Sequence, residues 1–267
     1  MGVYTALMAI IPQLRYTSFH TITATLEVWI FIGILIIMNA ESPKDSALKC
    51  FVFFLISQPL IYLLQVPFSW QGWGLFRYYG FWFGLTVLCL PMGYIGYFIK
   101  KDKWWGYLIL LPMILLTAGS YASYLRTFTF YAPKYLLICL FCAGAMILYP
   151  LALFGDKRIR AVGAAVSGAI LVGLTVLVML NPYTYSTELT GSIDGNPVTE
   201  DYKVSLKDGR FGDVSIRRAE PGGPYLIHAD FKKAGKTVLT VETPEGETKE
   251  YELTIEMNTY KLNEIKK

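Results

Sequence analysis

Long apolar runs, separated by short polar connectors, fill the chain as far as Leu180; beyond it the pattern changes to short stretches in which apolar and polar residues alternate. A helix needs about 20 mostly apolar residues to cross the roughly 30 Å hydrocarbon layer of a bilayer. Six stretches are expected to do so: residues 22–39, 47–66, 79–99, 104–124, 135–154 and 162–180. The first is short, at 18 residues, and carries Glu27 near its start. Pro59, Pro91, Pro112 and Pro150 fall inside four of the others. Spanning bundles tolerate such breaks because neighbouring helices re-satisfy the freed backbone groups. Residues 1–181 are therefore expected to form an all-α membrane domain, a six-helix bundle.

Residues 182–267 read as a small all-β domain. Residues 198–206, 214–216, 225–231, 238–241 and 251–255 carry β-forming, alternating patterns. Turn signals separate them: Asp194-Gly195, Asp208-Gly209, Gly222-Gly223-Pro224, Ala234-Gly235 and Pro244-Glu245-Gly246. Six or seven short strands at such spacing predict an antiparallel sandwich.

Composition sharpens this division. The chain is 54% hydrophobic and 16% charged, where soluble domains carry roughly 25% charged residues. This balance excludes disorder, a coiled coil and a nucleic-acid binder, and makes the lipid bilayer the first partner. Residues 1–181 hold 12 Lys and Arg against 5 Asp and Glu, a net of +7; the tail has a net of −3. Lys and Arg in short loops favour the cytoplasmic side. The connectors after the first, third and fifth stretches carry Lys44, Lys49, Lys100, Lys101, Lys103, Lys157, Arg158 and Arg160, whereas the other side has Arg15, Arg77, Arg126 and Lys134. Both termini are thus expected outside, with the β domain extracellular or periplasmic. Trp70, Trp73, Tyr78, Tyr79 and Trp82 near one boundary, and Trp104 and Trp105 near the other, suit the headgroup level.

The first twenty residues differ. The apolar segment 3–11 is too short to span and stops at Pro12. Without a basic n-region or a small-residue cleavage site it does not read as a signal peptide. A short helix lying on, or dipping into, the outer leaflet is expected, with a truncated seventh span as the alternative.

Candidate chemistry is sparse. Cys139 and Cys142 have CxxC spacing but lie mid-helix, where they read as neighbouring apolar positions; Cys50 and Cys89 are likewise in the spans. The two histidines, His20 and His228, sit in different domains, and no HExxH, P-loop, dinucleotide-binding or GxSxG motif occurs. Neither catalysis, a metal nor a cofactor is expected. What remains is an outward polar cluster: Glu27, Arg77, Arg126, Lys134 and His20. An ionisable group within a span is a functional candidate because burial there is costly, and Arg77 is the expected partner of Glu27, with Arg126 in reserve. Ala165, Ala169 and Gly173 on the last span, and Gly80 and Gly84 on the third, form small-residue stripes expected to pack helix against helix. Ala118 and Ala122 on the fourth repeat the pattern. Other mid-span polar residues, Ser57, Gln58, Thr86, Thr117, Ser167 and Thr175, look too few to line a substrate site.

Residues 231–255, with Ala234-Gly235-Lys236, the alternating 238–241 run, Gly246 and the 251–255 strand, resemble the closing hairpin of bacterial immunoglobulin-like surface domains. The resemblance implies an immunoglobulin-like fold and an outside address, and no activity. The tail departs from antibody-type domains in having neither Cys nor Trp. Together these readings lead to a multi-pass cell-membrane protein with an outward β-sandwich. Its expected role is that of a non-catalytic subunit or accessory factor of a cell-envelope complex, contacting an envelope protein through the β domain. The alternative is a small-molecule or lipid transporter component with its substrate site in the bundle. The oligomeric state is left open.

Overall fold

The computed structural model describes residues 1–14, 17–131, 134–193, 195–220, 222–256 and 258–265. A helical N-terminal part is followed by a β-rich C-terminal part. Two compact units are formed: Met1–Leu125 with Lys134–Leu177, and Arg126–Pro133 with Val178–Lys267.

The helical unit holds α1 (Gly2–Ile10), α2 (Ser18–Ala24), α3 (Leu26–Met38), α4 (Pro43–Gln65), α5 (Tyr79–Gly96), most of α6 (Trp104–Tyr131), α7 (Leu136–Leu153) and most of α8 (Lys157–Leu180). Among the described residues, five helical segments are long and apolar enough to cross a membrane: Pro43–Phe68, Gly72–Lys101, Trp104–Tyr131, Leu136–Leu153 and Lys157–Leu180. The first expected span departs from this pattern. It is divided at Thr25, whose backbone is extended (φ −98°, ψ 152°), so that its longer piece, α3, has only 13 residues. A run of Thr and Ile (Thr21-Ile22-Thr23-Ala24-Thr25) precedes the break. β-Branched residues lose side-chain freedom in a helix, which makes this the weakest place in the apolar run.

Local chemistry sets the other ends. Ser42 caps α4, its hydroxyl accepting from the Asp45 N–H at 3.2 Å, and Pro43 takes the first helical position. The Lys-rich connectors meet at one end of the unit. The Lys100 ammonium donates to the Ala40 carbonyl at 2.6 Å and the Tyr97 hydroxyl to that of Glu41 at 2.8 Å. The Asp102 carboxylate accepts from the Gly155 and Asp156 N–H groups at 2.9 and 2.8 Å, just before α8.

Close helix approach runs through particular small residues. A Cβ on Gly93 would lie 3.0 Å from the Ala47 Cα, and the Ser46 hydroxyl donates to the Gly93 carbonyl at 2.8 Å, which joins α4 to α5. The buried face of α8 is that of Gly163 and Ser167. The Tyr107 hydroxyl donates to the Gly163 carbonyl at 3.4 Å, and Tyr121 bonds Thr175 at 2.9 Å. Ala165, Ala169 and Gly173 lie on the exposed side of α8, and Gly80 and Gly84 are exposed on α5. These stripes therefore do not pack within the unit, contrary to expectation; on the fourth span Ala118 is buried. Apolar residues surround these helices on every side, so periodicity in small residues alone did not separate the inward face from the outward one.

The second unit contains β1 (Tyr185–Thr190), β2 (Ser192–Ile193), β3 (Asn196–Pro197), β4 (Lys203–Leu206), β5 (Gly212–Arg218), β6 (Tyr225–Phe231), β7 (Gly235–Glu242), β8 (Thr248–Glu256) and β9 (Thr259–Glu264). They form a sheet of order β1-β6-β5, a sheet of order β4-β7-β8-β9, and a two-residue ribbon of β2 and β3. All pairings are antiparallel. Alternate residues of both sheets enter one core, among them Ile227, Phe231, Leu239, Val241, Leu253 and Ile255. Phe130, from the end of α6, is 1% exposed in that same core. Its carbonyl accepts from the Ala234 N–H at 2.8 Å. The expected hairpin is β7–β8, closed by Gly246 at φ +86°. It does not end the fold, because β9 pairs onto β8; β1 and β9 are polar strands that alternation alone did not mark.

Candidate functional site

Glu27 stands in the first turn of α3 and is 5% exposed. Its Oε2 has no hydrogen-bond partner among the described residues, and the same is true of the Tyr149 hydroxyl. Tyr124, Cys142 and Tyr149 are within electrostatic reach of its carboxyl. Arg77 is exposed at the end of the 3-10 segment Gly72–Tyr78. No ion pair joins it to Glu27, so the expected pairing is not formed. Glu27 lies on the buried side of the first turn of α3, beside Val28 and Trp29, whereas Leu26 is exposed.

The remaining members of the expected cluster lie on other elements. His20 is half-buried in α2, and Lys134 is exposed before α7. The Lys134 carbonyl accepts from the Ser18 N–H and hydroxyl at 2.8 and 2.6 Å, which holds α2 against the start of α7. Arg126 is exposed and belongs to the second unit.

The feature that sequence reasoning undervalued is a cavity of about 220 Å³ between α3, α4, α5 and α6. Its wall follows α3 from Leu26 to Ile37 and α5 from Trp82 to Gly93. Each stretch advances eleven residues, or ~16 Å at the helical rise of 1.5 Å per residue. α4 contributes Cys50, Phe54 and Gln58, and α6 contributes Met113 and Leu116. Thr86 spends its hydroxyl on its own helix, donating to the Trp82 carbonyl at 2.9 Å. Gln58 is 3% exposed, and its side chain makes no hydrogen bond among the described residues. A Cβ on Gly33 would meet nothing within 4 Å, so this glycine leaves the slot open where a larger residue would fill it.

No protein-family profile matches this chain, and no curated protein or solved structure shows a significant likeness to it. The functional reading therefore stands on the geometry of the chain itself. That geometry is a long apolar slot with one side-chain amide, that of Gln58, on its wall. Gln58 and Thr86 were visible in the sequence as isolated polar residues; the antiparallel course of α4 and α5 puts them on one surface.

Proposed function

We propose that this chain is a multi-pass membrane protein that acts without catalysis, as an accessory component of a cell-envelope complex, and presents an immunoglobulin-like sandwich on the outer side of the membrane. The observation that carries the reading is the strand order. Immunoglobulin sandwiches pair strands B, E and D in one sheet and C, F and G in the other. Here β1-β6-β5 and β4-β7-β8 follow that order, and β9 is added beside the position of G. α8 ends at Leu180 and β1 begins at Tyr185, so four residues connect the last helix to the first strand. In this reading α2 and α3 together make the sixth crossing as a broken helix. The eight Lys and Arg residues of the odd connectors face the cytoplasm, following the positive-inside rule. An exposed strand edge then offers backbone groups to a partner.

A second reading, a lipid or small-molecule transporter component, is favoured by the cavity between α3 and α6, because a pure scaffold has no need of an open slot. Topology is tested with single cysteines in a cysteine-free background. Cysteines replacing Lys101 and Arg158 are expected to be shielded from an impermeant thiol reagent in intact cells, and one replacing Ser192 to react. The reverse pattern overturns the orientation.

A further inference from the structure

We infer that the slot between α3, α4, α5 and α6 holds the hydrocarbon chain of one membrane lipid, with the polar end of that lipid hydrogen-bonded to Gln58. The inference rests on the helical unit lying in a bilayer, and it goes beyond the accessory role proposed above.

Shape supplies the first argument. The cavity runs with the helix axes for ~16 Å, which suits an extended chain better than a compact solute. Its volume, about 220 Å³, exceeds that of an apolar protein cavity of about 150 Å³ that stays dry and takes up hydrocarbon. Water gains little here because it needs two to four polar partners, and the lining is almost wholly apolar, with Gln58 its one side-chain amide.

Gln58 supplies the direction. α3 ends and α5 ends beside the Lys100–Ala40 contact, so Leu26 and Trp82 mark the far end of the slot. Gln58 lies late in α4, which runs the opposite way, and so stands at that same far end. A buried amide without a partner is costly. An ester or hydroxyl oxygen on a ligand satisfies its N–H donors, while the chain below fills the apolar part towards Ile37 and Gly93. The partner is thus an amphiphile whose head lies at the end remote from the lysines. A phospholipid acyl chain and an isoprenoid carrier share this chemistry.

The test uses the full chain with Trp29 as its only tryptophan, the other five replaced by Phe. Trp29 lines the slot and is 3% exposed, which shields it from bulk lipid. In vesicles of phosphatidylcholine with brominated chains, a quencher that acts on contact, Trp29 emission is expected to be roughly twofold lower than in unbrominated vesicles, since a slot of this kind encloses most of its ligand. Gly33→Phe, which fills the slot, is expected to abolish that difference. Unquenched Trp29, or quenching that persists in Gly33→Phe, overturns the inference. A tryptophan-free variant carrying Leu115→Trp, at a position 51% exposed, tests the membrane reading separately. If that tryptophan is quenched and Trp29 is not, only the slot is lost.

Native mass spectrometry of the wild-type protein gives an independent reading. One bound lipid is expected, its mass distinguishing phospholipid from isoprenoid. Gln58→Leu is expected to retain it about fivefold less well, the loss of one net hydrogen bond. A wild-type protein free of lipid, or equal retention in Gln58→Leu, overturns the assignment.

Discussion

Glu27 and Gly163 show how much depends on the side of a helix a residue faces. Glu27 is buried and Arg77 exposed, with no ion pair between them. Glu27→Gln and Arg77→Gln are therefore expected to change detergent-state stability independently, with the double variant within about 0.5 kcal/mol of the sum; thermal or denaturant unfolding of all four proteins checks it. On α8, a Cβ at Gly163 would lie 2.8 Å from the Pro150 Cβ and 2.9 Å from a Tyr107 ring carbon, whereas one at Gly173 meets nothing. Gly163→Ala is expected to lose about 1–3 kcal/mol through overpacking. Gly173→Ala is expected to be neutral or to gain up to about 1 kcal/mol from helix propensity. Both follow from the same unfolding assay. Asp230, on β6, belongs to a different environment. The Ser186 hydroxyl donating at 2.5 Å, with His228 at 3.3 Å and Arg217 at 3.4 Å, holds its carboxyl below the ordinary value of 3.8. A depressed carboxyl contributes stability above its ordinary value and loses it as pH falls through the folded one. The β-sheet unfolding midpoint is accordingly expected to drop below pH 4, and to drop less in Asp230→Asn.

Among the elements, β5 and β6 depend on one backbone position. Gly212 has φ +145°, and a Cβ there would overlap the Asp230 carbonyl oxygen and sit 2.8 Å from the Phe231 Cα. Gly212→Ala is expected to cost on the order of 3 kcal/mol, combining backbone strain with overpacking. Loss of the β-type circular dichroism transition at a lower denaturant concentration reports it. The helices were easier to read than the strands. A membrane-length helix is apolar over its whole length, so α4 to α8 stand out from connectors without reference to their partners. β1 and β9 carry one buried residue between them, Leu189, and their polar alternation resembles that of a loop. They become strands because β6 and β8 present free backbone edges.

For the whole molecule, the second unit is built from two separated pieces of chain. Phe130 enters its core from α6, 55 positions before Tyr185 opens β1. Removing a buried Phe costs about 3–5 kcal/mol, a large share of the stability of a small domain. Residues 184–267 expressed alone are therefore expected to melt well below the same unit in the full chain. Phe130→Ala in the full chain should bring its β transition down to that level. An excised domain as stable as the intact one contradicts this role for Phe130.

Residue chemistry along the chain was sufficient to establish that an apolar helical part precedes a β-rich part, and to locate five membrane-length helices and the central strands β6, β7 and β8. Each of these elements is specified by a local period, uniform apolarity for the helices and alternation for the strands. The break at Thr25, the burial of Glu27, the outward position of Ala165, Ala169 and Gly173, and the entry of Phe130 into the β core were decided only by tertiary structure. So was the cavity. Gln58, Gly33 and Thr86 lie on three different helices, and a slot exists only where packing brings such residues together without filling the space between them. Sequence periodicity reports how a residue is placed on its own helix, and it carries no information about which neighbouring surface that helix will meet.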